Sequence, residues 1–153
     1  MTWLKTWEGF VEKNWLDSLD HVNFLTYQRI ADIASFEVWR RAKSGAESDL
    51  QFVITETHVR YLRELRLGEL VQIRTSLLAF DSKRFQLLHH LESGGNLSCT
   101  VETLNLCFDT ASRRATPFTE EMTAYFASWG PPPINAVAHL IIGRRPSLRS
   151  SGD

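Results

Sequence analysis

The residues of this chain best suited to chemistry lie close together near its beginning. Two carboxylates, an imidazole and a carboxamide fall within seven positions, as Asp17, Asp20, His21 and Asn23. The amphipathic stretch that follows predicts a helix, so these side chains are expected at a helix N-terminus. The free N–H groups there can polarise a carbonyl oxygen, and a nearby carboxylate can attack that carbonyl or activate a water. The alternative is that Asp17 and Asp20 only cap the helix.

One long helix and several antiparallel strands are predicted to hold this segment in place. The helix is predicted from Asp20 to about Lys43, and Ser44-Gly45 ends it. Strands are predicted over residues 2–13, 50–66, 70–80, 84–92 and 97–109, and a short helix over 119–129. Strands joined by tight turns pair antiparallel, and only one long helix can cover them. The expected fold is therefore α+β, an antiparallel sheet of about five strands wrapped around one central helix.

Length and charge favour one ordinary domain. The chain has 153 residues, with 17 basic and 18 acidic side chains and a formal net charge of −1. This balance argues against a nucleic-acid binder that works by bulk charge. No apolar run approaches the roughly 20 residues of a membrane span, and the first residues lack the apolar core of a secretion signal. The chain is expected to be cytoplasmic, with neither nucleic acid nor membrane as a partner.

The domain is expected to cover residues 1–130. Pro131-Pro132-Pro133 cannot continue a helix and begins a proline-rich C-terminal extension over residues 131–153. The extension is expected to be partly disordered, with the apolar segment 136–142 docked on the domain and residues 146–153 as a loose tail.

Strand geometry assigns structural positions to two further pairs of reactive side chains. Cys99 and Cys107 lie in one predicted strand about 27 Å apart, whereas a disulfide needs Cα atoms within about 7 Å. Both are expected to be free thiols buried in the core. His89 and His90 are adjacent in a strand and point to opposite faces, so one is expected at the core and the other in solvent.

Three segments carry a further pattern. They are Trp15-x-Asp17-x-x-x-His21-x-Asn23 followed by Tyr27, then residues 57–69, then Asp109-x-x-x-Arg113-Arg114-x-x-Pro117-Phe118. In this order, over about residues 3–128, they resemble the acyl-CoA thioesterases of the 4-hydroxybenzoyl-CoA type. In the subgroup of that family that the chain most resembles, the first pattern is Trp-x-Asp-Tyr-Asn-Gly-His-Met-Asn. The resemblance implies a hot-dog fold and hydrolysis of an acyl-CoA thioester to an acid and free CoA.

The resemblance also implies roles at the predicted helix start. Asp17 would be the catalytic carboxylate, acting as a nucleophile on the thioester carbonyl or as a general base for water. His21 and Asn23 would hydrogen-bond the acyl carbonyl or shape the turn. Phe24 and Tyr27 would line an acyl pocket on the apolar face of the helix.

Further substrate contacts are expected from the strands and their ends. His58 and Tyr61 would line the cleft beside the second strand, although a structural role for His58 is the alternative. Arg60, Arg113 and Arg114 offer cations for the phosphates of CoA, because the planar guanidinium suits phosphate. The alternative for these arginines is a solvated surface whose charge is balanced by interleaved glutamates.

The residues and the resemblance together bear on cofactors and assembly. No cofactor is expected, because CoA is part of the substrate, and no metal, because no second histidine lies near Asp17 and His21 in the sequence. A lone hot-dog sheet leaves an edge exposed. The resemblance implies a homodimer or homotetramer with the site where the helix meets the partner subunit.

The chain departs from the family pattern between Asp17 and His21. Ser18-Leu19-Asp20 stands where the pattern has Tyr-Asn-Gly, and Val22 where it has Met. The added charge would either help a base to work near neutral pH or repel an anionic intermediate. Two alternatives stay open: a non-catalytic acyl-CoA binder, and an enoyl-thioester hydratase or dehydratase. For the latter chemistry, Asp17 and His21 are spaced more closely than the expected six-residue span.

Overall fold

An antiparallel sheet packed against one long helix forms the fold of the residues that the computed structural model describes, which are 1–133, 135 and 142. The elements are β1 (Leu4–Phe10), α1 (Phe24–Ala42), β2 (Leu50–Tyr61), β3 (Leu70–Phe80), β4 (Arg84–Ser93), β5 (Asn96–Asp109), β6 (Arg114–Ala115) and α2 (Glu120–Ala127). The sheet order is β1-β3-β4-β5-β2, with the short β6 paired to the end of β5. All pairings are antiparallel. The α+β architecture predicted from the sequence is confirmed.

α1 covers one face of the sheet and contacts all five long strands. The residues that it buries are Tyr27, Ile30, Ala31, Ala34, Ser35, Val38, Trp39 and Ala42. Near its C-terminal end, the Trp39 ring stacks on Phe85 of β4 with centroids 5.6 Å apart. Met122 and Phe126 of α2 complete that part of the core. Each large apolar side chain buried in this way contributes about 1.5–3 kcal/mol, so packing rather than helix propensity holds α1 in place.

α1 begins four residues later than the sequence predicts. Asp20 has a φ of 59°, a left-handed conformation that cannot continue a right-handed helix. The helix begins instead at Phe24, after Asn23 has turned the chain and capped it. Its C-terminal end agrees with the prediction, because Ser44 and Gly45 both have positive φ values directly after it.

The strands agree with the prediction except at the ends of β1, which covers Leu4–Phe10 rather than residues 2–13, and at the end of β2. The predicted strand runs to residue 66, but β2 ends at Tyr61, where the N–H groups of Leu62 and Arg63 both donate to the Ser98 carbonyl. The following residues form a loop. A single 3-10 turn over Lys13–Trp15 and the two-residue β6 are additional elements that the sequence pattern did not predict.

His89 and His90 lie on opposite faces of β4, as predicted. His89 is fully buried on the α1 side, where its Nε2 lies 2.9 Å from Ser35 Oγ and its Nδ1 lies 2.7 Å from Thr75 Oγ1. Thr75 Oγ1 lies 2.8 Å from Thr6 Oγ1. This chain of side chains links α1 to β4, β3 and β1. Burial lowers the pKa of His89 to about 3, so its imidazole is neutral in the folded protein.

The cysteines and the short second helix also match expectation. Cys99 and Cys107 are free and buried on β5, and burial raises their pKa values to about 12 and about 11. α2 starts after Thr119, whose hydroxyl accepts from the Met122 N–H.

Little of the C-terminal extension falls within the described residues. The docked segment 136–142 and the tail 146–153 lie outside them, apart from Ile142. Ile142 is buried, and its N–H donates to Glu102 Oε2 at 3.4 Å. Within the described part of the chain, neither helix has the length and hydrophobicity needed to cross a membrane.

Candidate active site

The chain turns tightly just before α1, in residues 16–22, which we name the entry loop. Leu16 and Val22 pair across its base, and the Asp17 N–H donates to the His21 carbonyl at 2.8 Å. Asp20 stands where the family pattern has glycine, yet its φ of 59° is one that glycine adopts freely. Aspartate tolerates this region better than most residues. The loop therefore keeps a left-handed residue at this position despite the substitution.

The Asp17 carboxylate organises the entry loop from within. Its Oδ1 accepts hydrogen bonds from the N–H of Leu19 at 2.8 Å and from the N–H of His21 at 3.2 Å. These contacts form an Asx-type turn. Oδ2 accepts no hydrogen bond from the described residues. One oxygen is thus fixed, while the other is available to a substrate or a water.

The N-cap of α1 is Asn23, and neither Asp17 nor Asp20 caps the helix. The Asn23 Oδ1 accepts from the Leu25 N–H at 2.9 Å. The idea that the two aspartates serve only as helix caps is therefore wrong. The N–H of Phe24, one residue before Leu25, has no acceptor among the described residues. It is one free donor at the positive end of the helix dipole.

A cleft of about 400 Å³ lies between the entry loop, the start of α1 and the loop after β2. Its lining residues are Asp17, His21, Val22, Phe24, Tyr27, Tyr61, Leu62, Arg63 and Glu64. The volume falls in the range of small-molecule sites. The fold thus brings Asp17, His21, Phe24 and Tyr27 together with Tyr61 from the far end of β2, whereas Asn23 does not line the cleft.

Two tyrosines form one wall of this cleft. Tyr27 is buried, and its ring lies edge-on to that of Tyr61 with centroids 5.3 Å apart. The Tyr61 hydroxyl donates to the Phe24 carbonyl at 3.0 Å and so ties β2 to the first residue of α1. Burial raises the pKa of both phenols above the ordinary value, so both stay neutral at physiological pH.

Glu64 faces His21 across the cleft. Its Oε1 lies 3.3 Å from His21 Nε2, and the side chains are 43% and 57% exposed respectively. A contact this open to solvent contributes about 0–1 kcal/mol, so its main effect is to orient the imidazole.

Glu64 is a cleft residue that the sequence prediction missed. The predicted strand ran to residue 66, and Leu65 and Leu67 continue its alternation. In the structure the two leucines do not share one face of a strand, since Leu65 is fully buried and Leu67 is 58% exposed. The alternation of these leucines imitates a strand, so the sequence carried no signal for the loop that positions Glu64.

The fold does not bring His58 and Arg60 into this cleft. Both lie on β2 and line a second cavity together with Trp3 and His90. Because Arg60 pairs with Thr100, which pairs with His90, this cavity lies on the face of the sheet opposite α1.

Arg113 and Arg114 lie at the other end of the sheet from the cleft. Arg114 pairs with Asp109, which pairs with Leu50 at the start of β2, whereas Tyr61 ends that strand. The two ends of β2 are separated by about 36 Å at ~3.3 Å per residue. The Arg113 guanidinium lies over the Phe108 ring, 5.3 Å from its centroid. Within one chain, these arginines do not meet Asp17.

The side chains of the cleft do not form a metal site of the usual kind. Across residues 1–133, 135 and 142, no three His, Cys, Asp or Glu side chains are close enough together to hold a metal ion.

Two relatives named for thioesterase activity are similar to most of this chain. It is 28% identical over 116 residues to L-carnitine dehydrogenase/betainyl-CoA thioesterase of Agrobacterium fabrum, covering 72% of this chain but only 24% of that longer protein. It is 26% identical over 127 residues to betainyl-CoA thioesterase of Pseudomonas aeruginosa, covering 79% of this chain and 80% of that protein.

A solved structure and a family model give the fold and the family. The protein SAV2348 from Staphylococcus aureus, solved in complex with CoA, superposes with a TM-score of 0.75 at 23% identity, covering 92% of this chain and 96% of that one. This likeness confirms the hot-dog fold. Residues 11–126 match the family model of the Thioesterase-like superfamily, a span that runs from the end of β1 into α2. The chain belongs to the Thioesterase-like superfamily.

Proposed function

We propose that this protein hydrolyses acyl-CoA thioesters, with Asp17 as the reacting carboxylate. The observation that carries the proposal is the difference between its two oxygens. Oδ1 is held by two N–H groups, whereas Oδ2 has no hydrogen bond from the described residues and Asp17 lines the cleft. Fixing a carboxylate while leaving one oxygen free supplies the orientation that catalysis needs. The family match and the betainyl-CoA thioesterase relatives support a CoA thioester as the substrate.

The start of α1 is proposed to bind the thioester carbonyl. The free Phe24 N–H would donate to the carbonyl oxygen and stabilise the negative charge that develops there. His21, held by Glu64 on the other side of the cleft, would supply a second polar contact. A thiolate is a good leaving group, so polarisation and a placed nucleophile are sufficient without a strong acid.

Two routes to the products use the same oxygen of Asp17. In one, Oδ2 attacks the carbonyl carbon, the C–S bond breaks, CoA leaves as thiolate, and water hydrolyses the resulting acyl-aspartyl anhydride. In the other, Oδ2 takes a proton from a water that attacks the carbonyl carbon directly. Quenching a single turnover with hydroxylamine distinguishes them, because only an anhydride converts Asp17 to a hydroxamate that peptide mass spectrometry detects.

The acyl group is proposed to lie among Phe24, Tyr27 and Tyr61. Aromatic faces attract both apolar and cationic groups, and Glu64 adds negative charge to the same cleft. Aryl, quaternary ammonium and aliphatic esters are therefore the substrate classes to compare, with benzoyl-CoA, betainyl-CoA and hexanoyl-CoA as their representatives.

The complete site is proposed to need a second copy of the chain. Exposed large apolar residues crowd around the β2 edge and the adjacent side of α1: Phe24, Leu25, Ile33, Phe36, Val53, Ile54, Tyr61 and Leu62. An exposed apolar edge strand favours pairing with another strand. In a twofold dimer that pairs two β2 strands antiparallel, the end of one strand meets the start of the other. Arg113 of the partner subunit would then lie near Asp17 and could bind CoA phosphates.

Asp17→Asn tests the catalytic assignment. Asparagine keeps an Oδ1 that accepts from Leu19 and His21 but can neither attack the ester nor take a proton. We expect kcat/KM for the best ester of the panel to fall about 10²–10⁴-fold, measured as thiol release. Asp20→Asn is the matched control, since asparagine also tolerates a left-handed φ and Asp20 does not line the cleft. It should keep most of the activity.

The outcomes separate the candidate functions. Turnover that survives Asp17→Asn, with an unchanged circular dichroism spectrum, would remove Asp17 from the proposed role. A wild-type protein that binds the esters without releasing thiol would be an acyl-CoA binder. Loss of the enoyl absorbance with crotonyl-CoA would indicate a hydratase.

A further inference from the structure

A second cavity, which we name the outer cavity, plays no part in the proposed hydrolysis. Its volume is about 360 Å³, and it lies on the sheet face opposite α1, under the first residues of the C-terminal extension. Side chains from β2, β3, β4 and β5 line it, together with Trp3, Pro133 and Asn135. This volume is that of a small-ligand site.

Two neighbouring rows of paired residues converge on the outer cavity. In one row, Arg60 of β2 pairs with Thr100 of β5, which pairs with His90 of β4. In the next row, His58 pairs with Glu102. Residues paired in this way stand side by side on one face of a sheet. The floor of the cavity is therefore built from polar side chains that the register fixes in place.

Of the two guanidinium groups that line this cavity, only that of Arg74 makes an ion pair with a described residue. Arg74 is paired with Glu92 through contacts of 2.6 and 3.2 Å, and its guanidinium lies over the Trp3 ring at 5.0 Å. Arg60 is half-buried and makes neither an ion pair nor a hydrogen bond with any described residue. A partly desolvated cation without a partner is unfavourable, so an anion at this place would be stabilised.

Apolar surface lines another part of the outer cavity. Trp3 packs on His90 with ring centroids 4.6 Å apart, and Leu88 and Leu97 complete the wall. Burial lowers the pKa of His90, so its imidazole is neutral at physiological pH and adds polarity without charge. The ligand that fits combines an anionic group with an apolar body.

Glu102 limits the charge of that anion. It is 2% exposed, and its two oxygens accept from Gln86 Nε2 at 2.7 Å and from the Ile142 N–H at 3.4 Å. A fixed carboxylate inside the cavity repels a dianion such as phosphate more strongly than a monoanion.

We propose that the outer cavity binds a small monocarboxylic acid with an aromatic or other apolar body, its carboxylate on Arg60 and its body against Trp3 and Leu88. This site is separate from the Asp17 cleft, and it stands whether or not the protein hydrolyses thioesters.

Benzoate is the probe, and benzamide is its neutral counterpart of the same shape. In the ¹⁵N-labelled full chain, benzoate should shift the imidazole signals of His58 and His90, assigned with the His58→Gln and His90→Gln variants. The His21 signal reports the Asp17 cleft separately. We expect benzamide to bind at least tenfold more weakly than benzoate by calorimetry.

Matched arginine variants test which cavity holds the acid. Arg60→Gln should weaken benzoate binding at least tenfold, and Arg60→Lys should recover part of it. Arg63→Gln, in the other cleft, and Asp17→Asn should leave this binding unchanged. Equal binding of benzamide, a shift confined to His21, or an affinity unaffected by Arg60→Gln in a protein with the wild-type thermal midpoint would each overturn the proposal.

Discussion

At Asp17 the structural and chemical roles belong to different oxygen atoms. Oδ1 is used by the N–H groups of Leu19 and His21, and Oδ2 is left for the reaction. An alanine variant would remove both roles at once, whereas asparagine removes only the second. The sequence alone could place a carboxylate beside a helix start, but it could not show that one of its oxygens shapes the loop.

Asn23 is also a candidate for both a structural and a chemical role, and two substitutions separate these roles. Its Oδ1 caps α1 through the Leu25 N–H, so Asn23→Ala should lower the free energy of unfolding by about 0.5–2 kcal/mol in urea titrations. Asn23→Asp keeps the cap and should keep the stability. If the carboxamide N–H₂ also binds the acyl carbonyl, Asn23→Asp should lower kcat/KM about tenfold or more. An Asp variant with both wild-type stability and wild-type kcat/KM would restrict Asn23 to capping.

At the scale of elements, a continuous set of side-chain hydrogen bonds fastens α1 to the sheet. It runs from Thr6 through Thr75 and His89 to Ser35. The hydrogen bonds of this set can run in either of two directions. In one, the last donor is the Thr6 hydroxyl, which donates to the Ile73 carbonyl; in the other, it is the Ser35 hydroxyl, which donates to the Ala31 carbonyl. These hydrogen bonds would also accept a protonated His89, since both ring nitrogens could then donate to hydroxyls that donate onward to carbonyls. Burial away from water, rather than hydrogen-bond direction, lowers the pKa of His89 and keeps its imidazole neutral.

The stability of the fold should therefore depend on pH through His89. The pKa of this residue is about 3 when folded and near the ordinary 6.5 when unfolded, so the unfolded chain binds the proton between these values. The free energy of unfolding is expected to fall as the pH drops from about 6.5 toward 3, by up to about 1.4 kcal/mol per pH unit.

Urea titrations at several pH values check this expectation. His89→Gln should flatten the slope between pH 6 and 4, whereas His90→Gln, on the half-buried opposite face, should keep most of it. The same slope in the wild type and in His89→Gln would contradict the assignment to His89.

The sequence predicted the middle of each element better than its ends. Alternation and tight turns located β3, β4 and β5 because these strands are bounded by clear turn residues. The start of α1 and the end of β2 were misplaced because each depends on local geometry. Asp20 adopts a left-handed φ, and Ser98 draws the N–H groups of Leu62 and Arg63 away from the strand. Both errors fall at the cleft, where function favours irregular backbone over regular elements.

At the scale of the whole molecule, the two ends of the proposed substrate site lie at opposite ends of β2. Tyr61 borders the cleft. Arg113 lies at the other end, because its neighbour Arg114 pairs with Asp109, which pairs with Leu50. The sequence analysis assigned the cleft residues and Arg113 to one site because the family pattern contains both. A pattern in the sequence, however, gives no distance between residues in space. Only the strand register shows that one chain cannot bring them together.

A charge on the β2 edge should test the assembly. Ile54 is 42% exposed on β2, and Phe10 is 63% exposed on β1 at the opposite edge of the sheet. Ile54→Glu should convert a dimer to a monomer in analytical ultracentrifugation and reduce turnover with it, because the partner's cations are lost. Phe10→Glu, a matched change on the other edge, should alter neither. A monomeric wild type, or full activity in monomeric Ile54→Glu, would contradict the shared site.

Because the Asp17 cleft and Arg113 lie at opposite ends of β2, mixing two differently substituted chains should restore activity. Alone, Asp17→Asn lacks the reacting oxygen in both sites of a dimer, and Arg113→Gln lacks the CoA-binding cation in both. When the two impaired preparations are unfolded together and refolded, half of the resulting dimers should be hybrids. Each hybrid carries one wholly intact site and one doubly damaged site, so about a quarter of the wild-type rate at limiting acyl-CoA should return. A mixture no more active than its components would mean that each chain works on its own.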